Sequence, residues 1–207
     1  MRKEPFIYLI LTLPDGNPPA ALAMARAAIS GGITWLQMRI KGKRRRDLLP
    51  LGRALHALCR AHGVTFIVND DPILARRLRA DGVHLGQEDM ANFPIPFVRR
   101  LLGKGKLIGV STHSLSQAKA ALSQDVDYIA FGPLFPTPAK PYSIGTQEIP
   151  LVLSLTEKPI ILIGGIDVSN IGMLKDMGGK YFAMIRGLLD APDITARVKE
   201  IRARLGL

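Results

Sequence analysis

Between Thr65 and Asp89 the sequence reads TFIVNDDPILARRLRADGVHLGQED. Two apolar runs, TFIV and GVHL, flank a helix-like segment, and each ends in carboxylates: Asp70 and Asp71 after the first, Glu88 and Asp89 after the second. In a parallel sheet the C-terminal ends of neighbouring strands stand about 5 Å apart, so Asp70 and Asp89 can converge on one ion. A few hard oxygen ligands beside a phosphorylated compound suit Mg²⁺.

Other polar residues collect just past apolar runs. Gln37, Arg39 and Lys41 recur at period two and so face one way on an extended segment. Asn69 precedes the first acid, and His84 and Gln87 precede the second. Ser111, Thr112 and His113 end a later run, and Thr137 and Lys140 follow another. Cations, carboxylates and amides on one rim suit a metal-bound polyphosphate. Near the C-terminus, Gly164 and Gly165, and then Ile185, Arg186 and Gly187, occupy places where backbone N–H groups can hold a phosphate monoester. Two anion sites imply two phosphorylated substrates.

Plainer roles compete for some of these residues. Asp71 suits a helix cap, and His84 is as readily a hydrogen-bonded core residue as a substrate contact. Trp35 and Cys59 read as core, while His56 and His62 read as helix surface. The sequence contains no HExxH, Cys pair or GxSxG, so zinc and serine-hydrolase chemistry lack their main signals.

These residues must be positioned by a regular scaffold. Eight apolar runs of strand length recur: FIYLILTL, ITWLQMRI, TFIVND, GVHLGQ, KLIGVST, DYIAFGP, PIILIGG and KYFAMIR. Helix-period segments fall at 20–30, 47–61, 72–79, 96–102, 116–123, 147–155, 168–177 and 193–205. Strands that are continuously apolar and alternate with helices imply a parallel sheet covered on both faces. The expected fold is α/β, one TIM (β/α)₈ barrel over residues 1–207; an open doubly wound sheet is the alternative. Gly31 with Gly32, Gly63, Gly82, and Gly178 with Gly179 stand where helices should end. Asp71 with Pro72, and Asp167 or Ser169, supply starts. Residues 132–146 are rich in Pro and Gly, and a loop of that length in a compact domain is usually functional.

The chain has 207 residues, 47% apolar, with 28 Lys and Arg against 17 Asp and Glu, a formal charge of +11. That balance favours anionic ligands. The run KGKRRR at 41–46 lacks interleaved aromatics for base stacking, which favours a solvated helix start or phosphate loop over a nucleic-acid surface. The opening residues read as a first strand rather than a signal peptide. No window reaches the roughly 20 apolar residues of a membrane span, and the single Cys59 forms no internal disulfide. A cytoplasmic protein is expected; the sequence leaves a homo-oligomer open.

QMRIK at 37–41, ND at 69–70, DGVHLGQED at 81–89, GVSTH at 109–113, GPLFPTPAK at 132–140 and IGGI at 163–166 together resemble the thiamine phosphate synthase family. The match runs in order along nearly the whole chain. The resemblance implies a TIM-barrel transferase that joins hydroxymethylpyrimidine diphosphate to a thiazole phosphate, giving thiamine phosphate and diphosphate. It implies that Asp70 and Asp89 bind Mg²⁺, that Arg39, Lys41, Asn69 and Lys140 hold diphosphate oxygens, and that Gln37 and Ser111 place the pyrimidine. Thr137, position 139, Gly165, Ile185 and Arg186 would hold the thiazole phosphate. The sequence departs from the family pattern at Ile40, where an acid is usual, at Ala139, where a hydroxyl is usual, and at Arg186, where Ser is usual. A related thiazole tautomerase, with His113 as its acid or base, and a non-catalytic barrel that binds thiamine precursors are the alternatives.

Overall fold

The computed structural model describes residues 4–13, 17–137 and 141–207. Eight parallel strands close into a barrel in sequence order: β1 Phe6–Leu11, β2 Trp35–Met38, β3 Thr65–Asn69, β4 Gly82–Leu85, β5 Leu107–Thr112, β6 Tyr128–Phe131, β7 Ile160–Ile163 and β8 Tyr181–Met184. The open-sheet alternative is excluded, because β8 pairs with β1. The main helices are α1 Pro18–Gly31, α2 Arg45–Ala61, α3 Pro72–Leu78, α5 Ile95–Leu102, α6 Leu115–Leu122, α7 Ile149–Leu153, α8 Ile171–Asp176 and α10 Ile194–Leu205. Two short helices, α4 Asp89–Asn92 and α9 Arg186–Leu189, interrupt segments with too few residues for a periodic signal. No described helix is long and apolar enough to cross a membrane.

Strand alternation sorts the side chains into two cores. Ile7, Leu9 and Leu11 of β1 face the helices, in one apolar cluster with Leu36, Phe66, Val68, Val83, Ile108 and Phe131. Phe6, Tyr8 and Ile10 face inward, with Trp35, Ile67, Tyr128, Ala130, Ile161 and Ala183. Both faces of every strand are buried, which is why the strands read as unbroken apolar runs. The inward cluster is strongly aromatic: Phe6 stacks on Trp35 at 4.8 Å, and Trp35 meets the edges of Tyr8 and Tyr128 at 5.3 Å each.

Some expected boundaries move. Helix α3 ends at Leu78, with Arg79 as its left-handed cap at φ 55°, and not at Gly82. Gly82 lies inside β4, where a Cβ would come within 2.3 Å of the Leu107 carbonyl oxygen; its smallness serves strand packing. Asp167 and Ser169 form a turn, with Ser169 N–H donating to Asp167 Oδ1 at 2.8 Å, so α8 begins only after Asn170. Gly32, Gly63 and Gly178 do take positive φ after helices.

Candidate active site at the C-terminal rim

Inward parity brings the polar residues together. On β2 the inward positions run from Trp35 to Gln37; on β3 from Ile67 to Asn69; on β4 to His84; and on β5 from Gly109 to Ser111. Each of these strands is apolar low in the barrel and polar at its C-terminal end. That gradient makes the upper barrel a site and the lower barrel a core.

Asp70 is one residue out of phase with Asn69, and its backbone breaks the alternation with φ 63°. A non-glycine residue in that region is strained, and such strain concentrates where a side chain must be aimed. Its N–H donates to the His84 carbonyl at 2.8 Å, which carries the β3–β4 ladder past the end of β3. Asp89 opens α4, and its Oδ2 accepts the Gly86 N–H at 2.9 Å. The two carboxylates interact directly. Burial first, and then the Asp89 carboxylate, raise the Asp70 pKa to about 6 against the opposing charges of Lys41 and Arg39. Two acids and two cations therefore share one field. Among the described residues no cluster of three or more His, Cys, Asp or Glu could hold a metal ion.

The adjacent acid has a different task. Asp71 Oδ1 accepts the Leu74 N–H at 2.9 Å and caps α3, while its Oδ2 holds Arg45 Nε at 2.5 Å. The KGKRRR segment is thus tied down at the start of α2. Lys41, Asn69 and Asp70 also line a cleft between the loops after β2 and β3.

A chain of buried polar groups crosses the barrel below the acids. Gln37 Nε2 donates to the Tyr8 hydroxyl at 2.7 Å, and the Tyr8 and Tyr128 hydroxyls are 3.3 Å apart. His84 Nδ1 lies 3.1 Å from the Tyr128 hydroxyl, and His84 Nε2 lies 2.9 Å from Ser111 Oγ. Burial pushes the His84 imidazole down to about 4, so it is neutral at pH 7. Burial also raises both phenols above their ordinary range, keeping them protonated. His84 therefore joins the hydrogen-bonded core and the site edge at once. Neither tyrosine stands out in the sequence, since each sits mid-run among apolar residues. The one available signal is Gly109, the strand partner of Tyr128: a Cβ there would fall 1.9 Å from the Tyr128 ring.

The residues expected to make a second anion site follow β6, β7 and β8. Leu134 N–H and Phe135 N–H donate to Ile163 O and Gly164 O at 2.9 and 3.0 Å, pinning the start of the long loop to the end of β7. Half-buried Thr137 follows two residues after Phe135. At Gly165, with φ 65°, a Cβ would come within 2.7 Å of Phe135 Cβ. Ile185 immediately precedes α9, and Gly187 packs so closely that a Cβ would sit 2.3 Å from the Ile166 carbonyl oxygen. Arg186 is 59% exposed, and its Nε pairs with Asp190 Oδ2 at 2.6 Å. Ala139 and Lys140 lie outside the described residues. His113 Nδ1 is hydrogen-bonded to the Gly132 carbonyl.

A family model described as thiamine monophosphate synthase matches residues 7–188. The chain is 38% identical over 203 residues to a thiamine-phosphate synthase from Thermus thermophilus, covering 96% of each chain. It is 35% identical over 199 residues to one from Moorella thermoacetica, covering 95% of this chain and 93% of that one. Among solved structures, a thiamine phosphate pyrophosphorylase from Pyrococcus furiosus superposes with a TM-score of 0.86 at 31% identity, over 97% of this chain and 95% of that one.

Proposed function

The chain belongs to the thiamine monophosphate synthase family, and we propose that its C-terminal rim performs that family's condensation with the residues brought together there. It is a transferase that joins an aminopyrimidine diphosphate to a thiazole phosphate, forming thiamine phosphate and releasing diphosphate. The observation that carries the reading is the meeting of Asp70 and Asp89 in the field of Arg39 and Lys41. Two adjacent carboxylates repel unless a cation or a proton lies between them.

A pair of carboxylates, completed by substrate oxygens and water, fits Mg²⁺, and Asp70 and Asp89 would hold it. When bound, the ion neutralises negative charge on the departing diphosphate. Arg39, Lys41 and Asn69, together with Lys140, hold the diphosphate oxygens and stabilise the same charge from fixed positions. Gln37 and Ser111 orient the pyrimidine so that its methylene carbon faces the thiazole. As the carbon–oxygen bond to diphosphate breaks, the electron-rich pyrimidine carries the developing positive charge. The thiazole nitrogen then forms the new carbon–nitrogen bond, and no protein nucleophile is needed.

Thr137, Gly165 and the backbone at Ile185 and Arg186 form the thiazole phosphate site, with Ala139 two positions after Thr137 in the sequence. Both substrates are charged and cross membranes poorly, which favours a cytoplasmic reaction. The tautomerase alternative has no use for the acid pair. Incubating purified protein with both substrates and Mg²⁺ tests the reading: thiamine phosphate should accumulate and EDTA should stop it. Conversion of the thiazole alone, without condensation, would favour the tautomerase.

A further inference from the structure

The hydrogen-bond chain through the barrel has a direction. Tyr8 is buried, and its oxygen accepts from Gln37 Nε2. Its single proton must also be placed, because a buried hydroxyl without a partner is costly. Within hydrogen-bond reach the remaining partner among the described residues is the Tyr128 oxygen. Tyr128, equally buried, must then donate its own proton to His84 Nδ1. That leaves the imidazole proton on Nε2, where it is donated to Ser111 Oγ. Ser111 thus accepts from within the protein and keeps its own proton to donate outward. At the other end the Gln37 amide nitrogen is turned inward, leaving Oε1 as an acceptor.

We propose that Tyr8, Tyr128 and His84 are positioning residues whose one-way hydrogen-bond chain fixes Gln37 as an acceptor and Ser111 as a donor toward an aminopyrimidine. This rests on the pyrimidine placement given above. An aminopyrimidine offers an amine N–H donor beside a ring-nitrogen acceptor, the complement of that pair. The oxo analogue, with a carbonyl in place of the amine and N–H in place of the ring nitrogen, presents the opposite pattern. It meets an acceptor with an acceptor and a donor with a donor. The chain therefore selects amino over oxo pyrimidines although neither tyrosine need touch the substrate.

The test has two readouts. In ¹⁵N-histidine-labelled wild type, two-bond proton–nitrogen correlations should show His84 as the neutral Nε2–H tautomer, and Tyr128→Phe should erode that preference. In Tyr8→Phe, KM for the aminopyrimidine diphosphate should rise about tenfold, the loss expected for one hydrogen bond of about 1.4 kcal/mol. KM for the thiazole phosphate should stay constant, and discrimination against the oxo analogue should fall. An Nδ1–H tautomer in wild type overturns the proposal, as does an equal rise in both KM values or no rise in either. If the tyrosine variants fail to fold, the wild-type tautomer alone decides. A wild type that makes no thiamine phosphate defeats the proposed reaction, while the tautomer still reports the direction of the chain.

Discussion

The Asp70 N–H donates to the His84 carbonyl oxygen at 2.8 Å, so the pairing of β3 with β4 continues to the first residue of the acid pair. The second acid is fixed by Gly86, whose N–H donates to Asp89 Oδ2 at 2.9 Å. A Cβ on Gly86 would itself lie 2.9 Å from that oxygen. Gly86→Ala should therefore displace the Asp89 carboxylate while leaving the barrel intact. We expect turnover to fall about tenfold, in line with removal of a group that orients a metal ligand, with a higher Mg²⁺ requirement and little change in Tm. Steady-state assays at several Mg²⁺ concentrations, with a thermal melt, check this.

The metal-free protein should show two opposing limbs in its stability against pH. The Asp70 carboxyl is raised to about 6 by burial and by Asp89, so between about 4 and 6 the folded chain binds more protons at this group than the unfolded chain. Stability from this source is full below that window and is lost as pH rises through it. His84 is lowered to about 4 by burial, so its contribution is full above about 6.5 and is lost as pH falls toward 4. Urea unfolding across pH 4 to 7 should show partial cancellation in the wild type. Asp70→Asn should remove one limb and leave stability rising with pH. An unchanged profile in that variant would contradict the assignment.

Gly165 has φ 65° and lies against Phe135. Gly165→Ala combines an unfavourable backbone conformation with a close contact, at a cost of about 1–3 kcal/mol. The loop after β7 should shift, raising KM for the thiazole phosphate about tenfold with a much smaller effect on KM for the pyrimidine diphosphate. Separate titration of the two substrates checks the split.

At Gly109 a Cβ would fall 1.9 Å from the Tyr128 ring, too close for any side chain without moving the tyrosine. Gly109→Ala should cost about 1–3 kcal/mol as an overpacked core and should disturb Ser111 two residues along the strand. A lower urea midpoint together with a higher KM for the pyrimidine diphosphate is the expected result.

The barrel was legible because each strand is buried on both faces and separated from the next by a helix-period segment. The acids were legible because Asp70 directly follows β3 and Asp89 lies a few residues past β4, and neighbouring parallel strands place their ends together. What stayed hidden has physical reasons. Tyr8 and Tyr128 look like ordinary core aromatics, because the hydroxyl contacts that distinguish them cross the barrel between residues 120 positions apart. The Asp70 backbone conformation follows from its setting between β3 and α3 and has no glycine to announce it. Helices α4 and α9, each of 4 residues, are too short for a hydrophobic period. Gly82 resembles a helix stop until the contact with Leu107 shows that it belongs to a strand.

The most direct measurement is the rate of thiamine phosphate formation as Mg²⁺ is added back to EDTA-treated protein, for the wild type beside Asp70→Asn and Asp89→Asn. The wild type should regain activity with Mg²⁺, while each variant should lose at least about a hundredfold in turnover and keep its fold by circular dichroism. Folded variants with wild-type rates at every Mg²⁺ concentration would show that the acid pair does not hold the ion.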